Sequence, residues 1–218
     1  MNEKKSLQPI IVVVAGIALI GGLLTGFLTE NKQAQNTPEI YGTLLPFGTP
    51  VAPFQLVNQH NQPFTEQNLR DNWSLIFIGY THCPDVCPTT LTALQQTIEL
   101  IQAQAMSTPK VIFISIDPAR DTPDVLASYV SYFNKDFIGL TGSETELKNV
   151  SKQLAAYYNK AAGASGDINN NDYLMDHSTA LVLINPKAEI QAFLVAPHVP
   201  EQIIESVKRS VQYYTDIQ

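Results

Sequence analysis

Apolar positions fall into three regimes along this chain of 218 residues. From Ile10 to Leu28 they are almost continuous, and no residue between Ser6 and Thr29 carries a charge. From Glu30 to Leu45 they are sparse among Asn, Gln, Thr and Pro, with no hydrophobic period, as in a flexible tether. From Pro46 onward they gather into short runs separated by turn signals, the pattern of a folded domain. The expected divisions are therefore an anchor at 1–29, a tether at 30–45 and a domain at 46–218.

Within the domain, Phe54 to Val57 reads as a short strand ending at the turn-rich Asn58 to Pro63. Trp73 to Tyr80 and Lys110 to Asp117 are nearly unbroken apolar runs, as expected of strands covered on both faces. Between them a helical pattern follows the two cysteines to about Met106, with Leu91, Leu94, Ile98 and Ile101 on one side. Thr122 and Pro123 supply an N-cap and a first-turn proline for a helix through Tyr132. Phe137 to Leu140 is a short strand, and Ser143-x-x-Glu146 has the capping-box pattern of a helix running to about Tyr158. Gly163 to Asp172, rich in Gly and Asn, is a loop. Thr179 to Ile184 and Ile190 to Val195 flank a turn and predict an antiparallel hairpin, and Pro200 begins a last amphipathic helix to about Tyr214. Alternating strands and helices followed by a hairpin predict an α/β fold, a thioredoxin-like three-layer sandwich with an inserted helix and strand.

The N-terminal run is long enough to matter in its own right. Its 19 residues span about 29 Å as a helix, close to the roughly 30 Å hydrocarbon core of a bilayer. A buried core helix would show faces of different polarity, which this run lacks. A cleaved signal peptide has a shorter apolar region and a small-x-small cleavage site; Gly22, Thr25 and Gly26 come near such a site, but the length favours an uncleaved transmembrane helix. Lys4 and Lys5 precede the run with only Glu3 opposing them. That asymmetry predicts a single pass with the N-terminus cytoplasmic and the domain exported, on the periplasmic side of a bacterial-type inner membrane.

Setting aside the two lysines and one glutamate of the first 29 residues leaves 11 basic and 19 acidic side chains, a net charge of −8. With no basic cluster, the exported part has no surface for neutralising phosphates, and nucleic-acid binding is excluded.

Cysteine usage changes the picture most. There are two, Cys83 and Cys87, and a bridge closing so short a loop would stabilise an exported domain little. The pair is therefore chemical rather than structural, and it sits directly after the strand ending at Tyr80, where sites form in open α/β sheets. With Asp85 as N-cap, Cys87 falls in the first helical turn, where Pro88 sacrifices no hydrogen bond. Both sulfurs then lie near the positive end of the helix dipole, which favours thiolate. One turn spans roughly 5–6 Å, within reach of a disulfide, and the same spacing lets two thiolates converge on one soft ion. Spacing alone leaves thiol redox work and metal binding level.

A third ligand would decide between them. Of the four histidines, His60 lies in a predicted turn, His198 in the loop before the last helix, and His82 beside Cys83, where adjacent side chains point apart. These three read as surface or solvated residues. His177 directly precedes the hairpin strand whose start faces the dithiol in a thioredoxin-like layout. Taken by itself it divides evenly between a metal ligand and a loop histidine satisfied by its neighbours.

Three segments bring in a family. Gly79-Tyr80-Thr81-His82-Cys83-Pro84-Asp85-Val86-Cys87-Pro88-Thr89-Thr90-Leu91 resembles the signature of the Sco (SenC) copper proteins. Ser115-Ile116-Asp117-Pro118-Ala119-Arg120-Asp121-Thr122-Pro123 and Asp172-Tyr173-Leu174-Met175-Asp176-His177-Ser178 do so as well, in the family's order and spacing. The resemblance covers about Leu45 to Val195. It implies a thioredoxin fold, an N-terminal membrane anchor, a copper ion held by Cys83, Cys87 and His177, and a role in assembling the binuclear copper centre of cytochrome c oxidase subunit II. Another copper carrier or a thiol reductase is a further implied partner. Asn61 and Ala188 stand where the family usually has glycine, which bears on turn types rather than on the site.

Two bottom-up expectations complete the picture. Asp176 divides evenly between a group that orients His177 and a solvated loop carboxylate, and Asp117, Arg120 and Asp121 are placed to form a structural loop salt bridge. A metal carrier is the first functional reading and a thiol–disulfide oxidoreductase using Cys83 and Cys87 the second, although the three intervening residues depart from C-x-x-C. A peroxiredoxin is excluded, because its pattern requires Thr at position 80 or 84, where Tyr80 and Pro84 stand.

Overall fold

The apolar runs at Trp73–Tyr80 and Lys110–Asp117 become the two central parallel strands of an eight-stranded mixed sheet. The computed structural model describes residue 22 and residues 37–217 except 105, 106 and 170. The expected anchor, apart from Gly22, and residues 30–36 of the expected tether lie outside the described residues. Among the described residues no helix is long and apolar enough to cross a membrane.

In chain order the strands are β1 (Gly42–Pro50), β2 (Leu56–Asn58), β3 (Pro63–Phe64), β4 (Ser74–Gly79), β5 (Lys110–Ser115), β6 (Ile138–Thr141), β7 (Tyr158–Ala161), β8 (Leu174–His177), β9 (Leu181–Ile184) and β10 (Glu189–Leu194). The helices are α1 (Val86–Ala103), α2 (Pro123–Phe133), α3 (Glu144–Gln153) and α4 (Pro200–Asp216). The main sheet runs β1-β10-β9-β4-β5-β6-β2-β3, while β7 and β8 form a separate antiparallel pair. Among the described residues only β4–β5 and β5–β6 are parallel. Every residue of β4 and β9 is buried, as their unbroken apolar sequences require. Phe77, Phe113, Leu75 and Leu183 have no exposed surface and centre the core.

Caps and turns account for the element ends. Thr122 accepts from the Val125 N–H, with Pro123 in the first turn of α2. At α3 only half of the expected capping box forms. Ser143 Oγ accepts from the Glu146 N–H at 3.2 Å, but the Glu146 carboxylate accepts instead from the Gln55 N–H at 3.0 Å, tying the helix to the approach to β2. Asn61 and Ala188 both hold left-handed backbone, with φ of 57° and 61°, the conformation that favours glycine.

Three expectations are corrected. Residues 42–45, read as the end of a tether, belong to β1, where Gly42 to Leu44 pair with Leu194 to Ala192. The pairing partner is remote in sequence, and Leu44 is buried against it. Helix α3 stops at Gln153 rather than near Tyr158, because Ala155 turns left-handed (φ 52°) and the Ala156 N–H closes the last turn on the Ser151 carbonyl at 2.8 Å. The residues freed by that stop form β7, which pairs with β8 and takes His177 out of a loop and into a strand, opposite Tyr158.

Candidate metal centre

The thiol loop leaves β4 after Gly79 and turns back at once, the Cys83 N–H donating to the Tyr80 carbonyl at 3.3 Å. Val86 opens α1, so Cys87 is its second residue. Asp85 occupies the N-cap position, but its carboxylate makes no capping bond and accepts from Thr89 Oγ1 at 3.3 Å instead. The capping acceptor is a sulfur: Cys83 Sγ accepts from the Cys87 N–H at 3.4 Å. One of the orphan donors that every helix presents at its start is thereby spent on a thiol.

Gly79 makes this packing possible. A Cβ there would lie 2.5 Å from Cys87 Sγ and 2.9 Å from Phe113 Cε2. Cys87 fills that space and is fully buried, whereas Cys83 is partly exposed at the rim, and the two thiols are not bridged.

Their electrostatics diverge. The Cys83 thiol is lowered to about 4, first by the hydrogen bond from the Cys87 thiol, then by the backbone N–H groups of Asp85 and Cys87 and by His177, all outweighing burial. The Cys87 thiol is pushed well above its ordinary range because it serves as donor to Cys83 and because it is buried. Cys83 is thus the thiolate of the pair and Cys87 the thiol.

His177 ends β8. Its Nε2 lies 3.5 Å from Cys87 Sγ. Its Nδ1 is 2.9 Å from the Ser178 carbonyl, which only accepts, so Nδ1 carries a hydrogen and Nε2 is the ring nitrogen that faces the sulfurs. Tyr80 and Phe77 meet the ring edge-on, with centroids at 5.9 Å and 6.1 Å. Of the two readings of Asp176 the solvated carboxylate holds: it is exposed, one step along the strand, and the neighbouring Ser178 carbonyl orients the ring. The Cys83 and Cys87 sulfurs and a His177 nitrogen all lie within 4.8 Å of one another, the metal-capable group among the described residues.

The other histidines stay outside this group. His60 is exposed in the β2–β3 turn. His82 points away, its Nδ1 3.1 Å from Thr81 Oγ1. His198 is not the surface residue expected; its Nε2–H donates to the Thr179 carbonyl at 2.7 Å, and burial pushes its pKa down. The expected three-residue loop salt bridge divides in two. Arg120 pairs with Asp117, whereas Asp121 turns inward to Thr81 and Ser115. Sequence reasoning missed Tyr80 and Phe77, which are remote from His177 in the chain, and the Ser178 carbonyl, whose direction depends on the local backbone.

Comparison with known proteins finds relatives over most of the chain. The sequence model of the SCO1/SenC family matches residues 47–212. An SCO2-like protein of Rickettsia felis is 32% identical over 210 residues, covering 95% of this chain and 99% of the relative. The crystal structure of Arabidopsis thaliana ScoI with copper bound superposes with a TM-score of 0.70 at 34% identity, over 75% of this chain and 98% of that one. The structure of BsSco, described as a member of the Sco family of cytochrome c oxidase assembly proteins, matches with a TM-score of 0.59 at 19% identity, over 79% of this chain and 98% of that one, a likeness of fold. The fold is the thioredoxin-like α/β fold of these structures.

Proposed function

Because the chain belongs to the SCO1/SenC family, we propose that it carries one copper ion on Cys83, Cys87 and His177 and delivers it to cytochrome c oxidase subunit II during assembly of the binuclear copper centre. The observation that carries this reading is the convergence of two sulfurs and one imidazole nitrogen within 4.8 Å. Two thiolates and a neutral imidazole form a soft donor set of the kind Cu(I) prefers, and no carboxylate belongs to it.

The chain's own groups divide the work of binding. Cys83 is already anionic at neutral pH and reachable from solvent, so it meets an incoming ion first. Cys87 must give up a proton as it ligates, so loading releases that proton to solvent. His177 presents Nε2 to the sulfurs, its Nδ1 being occupied by the Ser178 carbonyl. Release to an acceptor runs in reverse.

Residues 1–29 serve as a membrane anchor that holds the domain on the periplasmic side of a bacterial-type inner membrane. Support comes from the uncharged run of Ser6 to Thr29 and from Lys4 and Lys5 before it. Protease added to intact spheroplasts should then remove the domain while sparing the N-terminal peptide.

A second reading is favoured by the asymmetry of the thiols, an accessible thiolate beside a buried thiol. In that reading Cys83 attacks a disulfide of the oxidase subunit and forms a mixed disulfide while one target thiolate leaves. Cys87 then attacks Cys83 Sγ, the second target thiol leaves, and this chain ends oxidised by two electrons as the target is reduced. A Cys87→Ser variant would trap the mixed disulfide if this is the main role.

Copper stoichiometry after anaerobic loading and dialysis separates the two. The carrier reading expects one ion retained per reduced chain, with retention through dialysis lost in Cys83→Ser, Cys87→Ser and His177→Ala alike. The two thiols left in the His177 variant still take up Cu(I) weakly when the metal is not dialysed away. Undiminished tight binding in the His177 variant would contradict it.

A further inference from the structure

The loop from Asp117 to Asp121 touches both chain segments that lead into the metal centre, at Thr81 and at Tyr173, which are otherwise distant in sequence. Asp121, fully buried, accepts from the Thr81 N–H at 2.9 Å, from Thr81 Oγ1 at 2.6 Å and from Ser115 Oγ at 2.5 Å. It thereby ties down the chain two residues before Cys83. Asp117, also buried, accepts from the Tyr173 hydroxyl at 2.6 Å and pairs with Arg120.

Arg120 reaches furthest. Its side chain is only 12% exposed. Nη1 donates to the carbonyls of Asn171 and Tyr173, both at 3.0 Å, and the guanidinium lies 3.6 Å from the centre of the Tyr173 ring. These contacts grip the chain immediately before β8, four residues ahead of His177. They matter because β7 and β8 form a sheet of their own, and no ladder of backbone hydrogen bonds among the described residues joins it to the main sheet. A planar, forked cation stacked on an aromatic ring suits such a grip better than a flexible ammonium. A buried ion pair contributes little net stability, so its value here is fixed geometry.

We infer that Arg120 is a positioning residue for the metal centre. Together with Asp117 it holds the β7–β8 hairpin against the loop that Asp121 fastens to Thr81, and so sets where His177 stands relative to the two thiols. The inference rests on the copper reading above, and on nothing in the oxidase partner.

The test is a double-mutant cycle in the full chain, read as Cu(I) affinity by competition with a chromophoric chelator. Arg120→Gln should weaken binding by about 10–100-fold, as loss of the groups that orient a ligand commonly does. In the His177→Ala background the same substitution should bring no further loss, because Arg120 acts only through the imidazole. An equal loss in both backgrounds would show that Arg120 supports the fold or the thiols, and would overturn the inference while leaving the copper reading intact. Unchanged affinity in Arg120→Gln overturns it too. A His177→Ala variant that binds as tightly as wild type removes the three-ligand reading itself, and the inference with it. Tyr173→Phe keeps the ring and removes the bond to Asp117; should Arg120→Gln fail to fold, its cycle with His177→Ala decides by the same criterion.

Discussion

The Nε2 atom of His177 lies 3.5 Å from Cys87 Sγ although the residues stand 90 positions apart. Two backbone arrangements produce that approach. The start of α1 places Cys87 beneath the end of β4, and the β7–β8 pairing carries His177 to the end of a strand over Phe77 and Tyr80. The ring then has one nitrogen on the Ser178 carbonyl and the other aimed at sulfur.

The thiols should differ in reactivity. With Cys83 lowered to about 4 and Cys87 raised, a thiolate is present at position 83 throughout pH 5–7, while position 87 stays protonated. Iodoacetamide at pH 6 should therefore modify Cys83 first, its rate falling only as pH drops toward 4 and the thiolate is protonated. Peptide mapping by mass spectrometry checks the order of labelling. Faster labelling of Cys87 would mean that the hydrogen bond between the thiols runs the other way.

Gly79→Ala tests the close approach of α1 to β4. The added methyl would stand 2.5 Å from Cys87 Sγ and 2.9 Å from a ring carbon of Phe113, both on well-packed groups. Overpacking of this kind costs about 1–3 kcal/mol. Thermal stability should fall by several degrees, and copper affinity should fall with it, because Cys87 is displaced. Lower stability with copper affinity unchanged would show that the sulfur position is not set by this contact.

Ala155→Gly should do the opposite to stability. Left-handed backbone costs an alanine about 1–2 kcal/mol. The greater freedom of glycine in the unfolded chain returns about 0.4–1 kcal/mol of that. Ala155 is exposed, so no packing is lost. A net gain of about 0.5–1 kcal/mol corresponds to a rise in Tm of roughly 1–4 °C for a domain of this size. A calorimetric scan showing no rise would mean that the turn is relaxed.

His198 makes the domain sensitive to mild acid. Burial lowers its pKa, so the folded state binds the proton less readily than the unfolded chain, whose value lies near 6.5. The stability this contributes is complete above that value and is lost as pH falls through the lower folded value. Urea midpoints at pH 7 and pH 5 should therefore differ more in wild type than in His198→Asn. Equal differences would place the acid sensitivity elsewhere.

Much of the domain was legible from sequence, and the exceptions have physical causes. The apolar runs of β4 and β5 carry their own signal because both faces are covered, and the β9–β10 hairpin is marked by the turn at Asn185 to Ala188. The dithiol after Tyr80 was visible for the same reason, since a buried strand announces where its loop begins. Strand β1 was not visible: Leu44 is its one buried residue, Pro46 and Pro50 suit only an edge, and β10 supplies the pairing. Helix α3 ends on an alanine where glycine would have been a signal. The β7–β8 pair is mostly polar, with only Met175 of its eight residues buried, so its pairing left no periodic trace. That omission is why His177, taken alone, divided evenly between ligand and loop residue. Its setting comes from the remote Tyr80 and Phe77 rings together with the adjacent Ser178 carbonyl on Nδ1.

The most direct test of the account is copper-edge X-ray absorption on the Cu(I)-loaded full chain, wild type and His177→Ala side by side. The account predicts two sulfur scatterers and one nitrogen in wild type, with the nitrogen absent from the variant. Identical spectra for the two proteins would contradict it, because the imidazole that stands 3.5 Å from Cys87 Sγ would then play no part in holding the ion.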